Sequence, residues 1–284
     1  MKLLRIGEPG REKPAILTDT GDYVDISSII PDISGDRLEP ESLARITAAD
    51  LSKLPVLSPD SRIGPCVGGV GKFLCIGLNY FGHAKETGLA VPEEPVLFHK
   101  ATTAISGSND PIQIPKGSTA TDYEVELGIV IGRTAKYVSE ENASDYIAGF
   151  CVVNDVSERN FQKFRGGQWT KGKSADSFGP IGPWLVTKDE VGDPTSLDLW
   201  LEVNGERRQT ASTSDLIFKP DFIVHHLSQF MTLAPGDVIA TGTPAGIGSA
   251  MKPEPKFLAP GDEVVLEITG LGRQCQTVRA YDGS

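Results

Sequence analysis

The 284-residue sequence predicts a mainly β or α+β fold, a β-rich roll or barrel with a few covering helices. The first observation behind this prediction is the turn content, since 31 glycines and 20 prolines are spread along the chain and both residues interrupt regular structure. The second is a series of short apolar runs, each bounded by turn residues, which is the pattern of strands. Helical periodicity is confined to a few segments, so a doubly wound α/β sheet is not expected.

The individual elements follow from these patterns. Residues 197–203 are followed by Asn204 and Gly205, a dipeptide that favours the tight turn of a β-hairpin. Pro220 suits the first turn of a helix, because its missing N–H has no partner there in any case. The predicted strands are 3–6, 15–17, 23–26, 73–76, 95–98, 125–131, 147–153, 197–203, 237–240 and 263–268, and the predicted helices are 80–87, 157–164 and 220–231.

The chain is predicted to divide near residue 68. Residues 1–68 combine short alternating segments with a polar stretch rich in Asp, Ser and Pro, which indicates a small β-containing N-terminal domain. The boundary follows from Gly64, Pro65 and the glycine-rich run 68–71, because these residues interrupt any regular element. Residues 69–284 then form a larger domain with most of the predicted strands.

The composition favours a small-molecule ligand. The chain has 38 acidic and 27 basic residues and a net charge of −11 at pH 7, which argues against binding to nucleic acid or anionic lipid. The longest apolar runs are far shorter than the ~20 residues that cross a bilayer, so no membrane span is expected. The four cysteines form no CxxC pair, and the first residues lack the apolar segment of a signal peptide. We therefore expect a cytoplasmic protein with reduced thiols.

Residues 167–174 match the phosphate-loop pattern G-x-x-x-x-G-K-[ST], with Lys173 at the lysine position. A nucleotide phosphate loop requires a buried strand before it and a helix after it, because the helix N-terminus supplies amide donors to the phosphate. Here residues 159–165 are polar and helix-like, and residues 175–183 contain two glycines and two prolines. We therefore interpret the match as coincidental.

Three carboxylates have a spacing that suits a metal ion. Glu124 and Glu126 are separated by one residue at the start of a predicted strand, so their side chains share one face. Like charges this close repel each other unless a cation lies between them. Asp155 ends a second apolar run and would complete the set. Because oxygen ligands select Mg²⁺ or Mn²⁺ over Zn²⁺, we expect one of these two cofactors here; a solvated strand face is the alternative.

His83 and Glu86 are three residues apart in a predicted helical turn, so their side chains can face one another. A carboxylate that holds an imidazole fixes its tautomer and stabilises its protonated form, as the activation of a water molecule requires. An ordinary surface pair is the alternative. Gly77, Gly82 and Gly88 bracket this segment, and we expect it to act as a lid that closes over bound substrate.

Five site motifs follow one another along the chain, at residues 77–86, 122–126, 154–155, 172–174 and 241–248. Taken in this order, they resemble the fumarylacetoacetate hydrolase superfamily over about residues 70–282. The resemblance implies a mixed β-roll, usually a homodimer, behind a variable N-terminal domain. The implied roles are metal ligands for Glu124, Glu126 and Asp155, the active-site lysine for Lys173, a dyad on a mobile helix for His83 and Glu86, and substrate contacts for Lys100, Gln162 and Thr243.

The branch of the superfamily with a short N-terminal domain acts on 2-oxo acids, and residues 1–14 are similar to bacterial members that resemble 2,4-diketo-3-deoxy-sugar-acid hydrolases or are labelled ureidoglycolate lyase. We therefore expect a divalent-metal-dependent hydrolase that cleaves a C–C bond of a 2,4-dioxo acid, of the acylpyruvate or diketo-deoxy sugar acid type, to pyruvate and a shorter acid. The alternative is a lyase of the same superfamily, a ureidoglycolate lyase or an oxaloacetate decarboxylase. The last alternative is a non-enzymatic metal-binding module, which would have no use for His83, Glu86 and Lys173.

Overall fold

The computed structural model describes residues 1–283, and within them strands greatly outnumber helices. The strands are β1 Lys2–Ile6, β2 Lys13–Leu17, β3 Tyr23–Asp25, β4 Val56–Leu57, β5 Phe73–Gly77, β6 Val96–Lys100, β7 Ile105–Ser106, β8 Ile112–Gln113, β9 Thr121–Asp122, β10 Val125–Ile131, β11 Ile147–Asn154, β12 Ser157–Glu158, β13 Gly179–Thr187, β14 Asp198–Val203, β15 Glu206–Ser212, β16 Val238–Ala240, β17 Glu263–Ile268 and β18 Gly272–Arg279. The α-helices are α1 Pro40–Thr47, α2 Phe81–Thr87, α3 Arg159–Phe164, α4 Thr170–Lys173, α5 Lys188–Val191 and α6 Pro220–Ser228. The predicted β-rich fold with a few helices is confirmed.

Two sheets build the core. The large sheet runs β4-β3-β2-β1-β13-β11-β10-β16-β5-β6, with β7 beside β13, and most of its neighbours are antiparallel. The second sheet runs β15-β14-β17-β18-β8 and packs across β10 and β11. Every residue of β10 and β11 is buried. Strands covered on both faces are expected to be continuous apolar runs, which is how both appear in the sequence.

The side chains of β10 alternate between two apolar clusters. Val125, Leu127 and Ile129 face the second sheet, whereas Val130 packs on the opposite side with residues of the N-terminal segment. With a period of two, Glu126 belongs to the face of Val130. The register of β10 therefore determines the face of the sheet on which the Glu126 side chain lies.

Several predicted elements are present with small changes at their ends. Asn204 and Gly205 have φ values of 52° and 75° and form the turn between β14 and β15, because this turn needs left-handed backbone at both positions. The predicted helices at 80–87 and 220–231 correspond to α2 and α6, although α6 ends three residues earlier.

Two expectations about local structure were wrong. The predicted helix 157–164 begins only at Arg159, because Ser157 and Glu158 pair with β9 as a strand. Residues 179–183, interpreted as a loop from their glycines and prolines, belong to β13, which pairs with β1, β7 and β11. A side chain at Gly179 would lie 2.6 Å from the Phe73 ring, so close packing accounts for this glycine.

The N-terminal segment is continuous with the large sheet. Lys2 pairs with Val186 across β1 and β13, so the four N-terminal strands extend the same sheet that contains β10. The boundary near residue 68 stays a prediction. All four cysteines are free thiols, and within residues 1–283 every helix is too short or too polar to cross a bilayer.

Candidate active site

Three carboxylates converge where β10 begins and β11 ends. Val125 pairs with Asn154 across these strands, and the N–H of Asp155 donates to the carbonyl oxygen of Glu124 at 2.9 Å. This pairing brings Glu124, Glu126 and Asp155 together, and one carboxylate oxygen from each lies within 4.8 Å of the other two. Such a set of oxygen donors fits a divalent cation of the Mg²⁺ or Mn²⁺ type.

Buried cations compensate two of the three carboxylates. The Lys173 ammonium donates to Glu124 at 2.7 Å and to Asp155 at 2.5 Å. Lys100 donates to the other oxygen of Asp155 at 2.5 Å, and the Arg159 guanidinium donates to Glu124 at 2.6 Å. Buried charges are stable only when paired in this way, so these ion pairs hold the carboxylates in place.

The two glutamates differ sharply in acidity. Burial alone would raise the pKa of Glu124, but the positive charges of Arg159 and Lys173 outweigh burial and lower this pKa to about 2. Burial, and then the charges of Asp155 and Glu124, raise the pKa of Glu126 well above its usual value. Glu126 is therefore the carboxylate whose charge is least compensated, and a bound cation would stabilise its ionised form.

The sequence analysis missed Arg159, which is central to this network. Its guanidinium also donates to Asp122 at 2.8 Å, and Asp122 in turn accepts from the N–H groups of Gly248 and Ser249. The sequence does hold a hint of such a residue, because Asp122, Glu124 and Glu126 follow one another at steps of two. When acidic residues at this spacing are buried, a basic side chain has to compensate them, but the spacing does not say which one.

The loop at 241–248 holds Glu126 in place, and Thr243 of this loop is itself anchored to β10. The N–H of Gly242 donates to Glu126 at 2.7 Å, and a side chain at Gly242 would lie 2.7 Å from the Cβ of Asn79, so only glycine allows this approach. The hydroxyl of Thr243 donates to the carbonyl of Val125 at 3.0 Å. The loop thus fixes one side of the carboxylate cluster.

His83 and Glu86 form the predicted pair. The Nδ1 atom of His83 lies 3.2 Å from Oε2 of Glu86, and the other oxygen of Glu86 accepts from the N–H of Gly246 at 2.9 Å. His83 is 7% exposed and lines the cavity. If Nδ1 carries the proton that Glu86 accepts, Nε2 is left as the basic atom.

A cavity of about 300 Å³ lies above the carboxylates and collects most of the predicted site residues. Its lining includes Glu124, Glu126, Asp155, Lys173, His83, Gln162 and Thr243. Lys100 is placed differently, because its side chain is fully buried behind Asp155 and also donates to the carbonyl of Val156. Its position suits support of Asp155 better than the substrate contact that the resemblance implied.

An aromatic wall closes one side of the cavity. Phe98 and Trp169 pack edge to face with 5.3 Å between their ring centres, and the Lys173 ammonium lies 4.9 Å from the centre of the Phe98 ring. Both aromatic residues line the cavity. Neither was singled out as a site residue, because Phe98 looks like an ordinary apolar residue of strand β6 and Trp169, which precedes α4, carries no periodic signal.

Residues 167–174, which match the phosphate-loop pattern, do not form a phosphate loop, in agreement with the interpretation from the flanking sequence. The matched segment follows α3 and ends in the four-residue helix α4, so no strand–loop–helix is formed. A side chain at Gly172 would lie 2.5 Å from the backbone of Gln162 and of Glu158, which shows that this glycine permits close packing of α4 on α3. The hydroxyl of Ser174 accepts from the N–H of Ala101.

Together, the mixed β fold and the buried carboxylate cluster define an enzyme of the fumarylacetoacetate hydrolase type. Comparison with protein families agrees: the chain belongs to this family, since residues 72–279 match the model described as fumarylacetoacetate (FAA) hydrolase C-terminal.

Relatives match over nearly the whole chain. A provisionally named hydrolase from Burkholderia multivorans is 58% identical over 280 residues, which cover 99% of each chain. The structure of a fumarylacetoacetate hydrolase from Exiguobacterium antarcticum is 36% identical, with a TM-score of 0.87 over 99% of this chain and 100% of that one. The structure of a maleylpyruvate hydrolase from Sphingobium sp. SYK-6, in complex with manganese(II) and pyruvate, is 27% identical, with a TM-score of 0.81 over 99% of both chains.

Proposed function

We propose that this protein is a divalent-metal-dependent hydrolase that cleaves the C3–C4 bond of a 2,4-dioxo acid and yields pyruvate and a shorter acid. The observation that carries this proposal is the convergence of Glu124, Glu126 and Asp155 with Lys173 and the His83–Glu86 pair around one cavity. The relative from Sphingobium adds support, since its structure is described with manganese and pyruvate.

Glu124, Glu126 and Asp155 would hold the cation. A divalent cation held by these three carboxylates would supply Lewis acidity to the dioxo acid. The ammonium of Lys173 has three donor hydrogens, and two are used by Glu124 and Asp155. The third can stabilise negative charge that develops on the substrate, together with the side chain of Gln162, which lines the same cavity.

The His83–Glu86 pair would activate water. His83 accepts a proton from water at Nε2, and Glu86 stabilises the imidazolium that results. The hydroxide adds to the C4 carbonyl carbon. The C3–C4 bond then breaks and its electron pair passes to the leaving pyruvate as an enolate. The proton that His83 took from water is returned to C3, which gives pyruvate and restores the neutral imidazole.

The test is product identification on a panel of acylpyruvates, 2,4-diketo-3-deoxy sugar acids, oxaloacetate and ureidoglycolate, with Mg²⁺ or Mn²⁺ added. Pyruvate plus a shorter acid supports the hydrolase. Carbon dioxide from oxaloacetate, or glyoxylate from ureidoglycolate, identifies a lyase that would operate without water attack. No turnover on any of these compounds favours a metal-binding module. Metal-stripped protein is the matched control for each reaction.

We also propose the homodimer that the resemblance implies and the cytoplasmic location expected from the sequence. Light scattering on the purified protein measures the mass in solution, and twice the monomer mass supports the dimer. Fractionation of cells tests the location independently.

A further inference from the structure

Lys163 differs from the other cations that line the cavity. Arg159 and Lys173 are both engaged with buried carboxylates. Lys163 also lines the cavity, yet within residues 1–283 its ammonium makes no hydrogen bond and no ion pair. Although the side chain as a whole is exposed, desolvation of its ammonium, and then the positive charge of Arg159, lower the pKa of Lys163. An anion beside this ammonium would therefore be stabilised by a charge that the protein leaves uncompensated.

Helix α3 sets the distance between this charge and the carboxylates. Arg159 and Lys163 are four residues apart, so they lie on the same face of the helix, and Arg159 reaches down to Glu124 at 2.6 Å. Four residues of helix separate Lys163 from Arg159 by about 6 Å along the helix axis. Because Lys163 lines the same cavity as the carboxylates, a ligand held at the carboxylate cluster can extend to Lys163.

The segment that surrounds Lys163 is basic in an acidic protein. Residues 159–175 contain five basic residues and no acidic residue, although the chain carries a net charge of −11. Within this segment, Arg159 and Lys173 are paired with Asp122, Glu124 and Asp155, whereas Lys163 forms no ion pair within residues 1–283. The positive charge of Lys163 is therefore available to an anionic group of a ligand.

Much of the cavity lining is apolar. Phe98, Trp169, Leu89 and Ile247 contribute to it, and the hydroxyls of Thr87 and Thr243, which also line the cavity, already donate to the carbonyls of Ala84 and Val125, so the lining offers few hydrogen bonds to hydroxyl groups. A tail with several hydroxyl groups would lose hydrogen bonds to water there, whereas a short hydrocarbon spacer would not.

We propose that Lys163 determines specificity by binding a carboxylate at the far end of the substrate. This inference rests on the proposed function and narrows it: the preferred substrate is a 2,4-dioxo acid with a second acid group, separated from the dioxo group by a short apolar spacer. A diketo-deoxy sugar acid with a neutral hydroxylated tail is then a poorer substrate.

The experiment compares two unreactive probes, 2-oxoadipate and 2-oxohexanoate, which have the same length and differ in the terminal carboxylate. Binding of each to the Mn²⁺-loaded protein is measured by calorimetry. We expect 2-oxoadipate to bind at least roughly tenfold more tightly, the usual contribution of a hydrogen bond to a charged group. Lys163→Met should reduce this preference to near unity, and Lys163→Arg should retain it.

The matched control is Lys171→Met, because Lys171 belongs to the same basic segment but donates to the carbonyl of Arg165 and does not line the cavity. It should leave the preference unchanged. Equal binding of the two probes to the wild type, or a preference that survives Lys163→Met, would overturn the inference while the proposed hydrolysis could still be observed. No binding of either probe would instead contradict a 2-oxo acid site, and with it the proposed function.

Discussion

The bottom and the rim of the cavity are built in different ways. We call Glu124, Glu126, Asp155, Arg159 and Lys173 the charged floor. All five are buried, and each is tied to another part of the chain by at least one hydrogen bond of 2.5–2.7 Å. Central strands and buried ion pairs therefore fix the charged floor before any substrate arrives.

The rim segment, residues 81–95, has far fewer attachments. It contains α2 and an irregular stretch, and Phe81 and Leu89 are 56% and 55% exposed. The carboxylate of Glu86 is anchored to the loop at 241–248 through the N–H of Gly246. Segments with few buried contacts open most easily. The charged floor is therefore preformed. The His83–Glu86 pair is also assembled in this structure, but it lies on a segment that we expect to open more easily than the floor.

Removal of a floor carboxylate should have the largest effect. Glu126→Gln keeps an acceptor for the N–H of Gly242 and leaves the ion pairs of Lys173 intact, but it removes one anionic ligand. We expect turnover to be abolished and Mn²⁺ affinity to fall by more than about 100-fold. Calorimetric titration with Mn²⁺ measures the affinity, and Glu263→Gln, at an exposed position of β17, is the control. Full activity in exhaustively metal-free protein would contradict the role of the charged floor.

Removal of His83, the proposed base on the rim segment, should reduce hydrolysis without weakening metal binding. His83→Ala should lower kcat by roughly 10² to 10⁴-fold, the usual contribution of a positioned general base. Mn²⁺ affinity should stay nearly constant, because no carboxylate is changed. Glu86→Ala should also reduce kcat. Lys85 is exposed on the same helix, and Lys85→Ala should leave kcat unchanged. Near-normal hydrolysis in both His83→Ala and Glu86→Ala would favour the lyase or decarboxylase.

Lys173 belongs to the charged floor although its motif resembles a phosphate loop. Lys173→Ala should lower kcat by about 10²-fold or more, because it removes a buried donor to developing negative charge. Lys171→Ala, two residues earlier in α4 and exposed, is the control. ATP and GTP should leave the melting temperature of the wild type unchanged, since a ligand that binds the native state raises it. Micromolar nucleotide binding that Lys173→Ala abolishes would refute this assignment.

The parts of the fold that could be predicted are those with local signals. Strands β10 and β11 are recognisable because burial on both faces makes them continuous apolar runs, and the turn at Asn204 is recognisable from its backbone requirement. Strand β13 could not be predicted, since Gly179, Pro180, Gly182 and Pro183 have the composition of a loop. Only pairing with strands distant in sequence makes this segment extended.

The same distinction applies to the site. The shared face of Glu124 and Glu126 follows from a two-residue period, and the contact between His83 and Glu86 follows from helical geometry. Asp155 was inferred from its position at the end of a second apolar run, whereas the role of Lys173 required a family resemblance, because its contact with the carboxylates depends on tertiary structure. Arg159 was missed because its partner carboxylates are 35 and 37 positions away in sequence, and no local pattern specifies which cation will compensate a buried cluster.

Hydrogen exchange should give the smallest effect and the most direct comparison of the charged floor with the rim segment. Amides of α2 should exchange much faster than those of β10 and β11, because the rim opens locally while the central strands exchange only through larger unfolding. Addition of oxalate with Mn²⁺ should slow exchange in residues 81–89 by roughly tenfold if the segment closes over the ligand, and should leave β10 and β11 almost unchanged. Helix α6, which does not line the cavity, is the internal control for general stabilisation. Equal slowing in α6 and α2 would indicate a global effect of metal binding, and unchanged exchange in 81–89 would mean that the rim segment is as rigid as the floor.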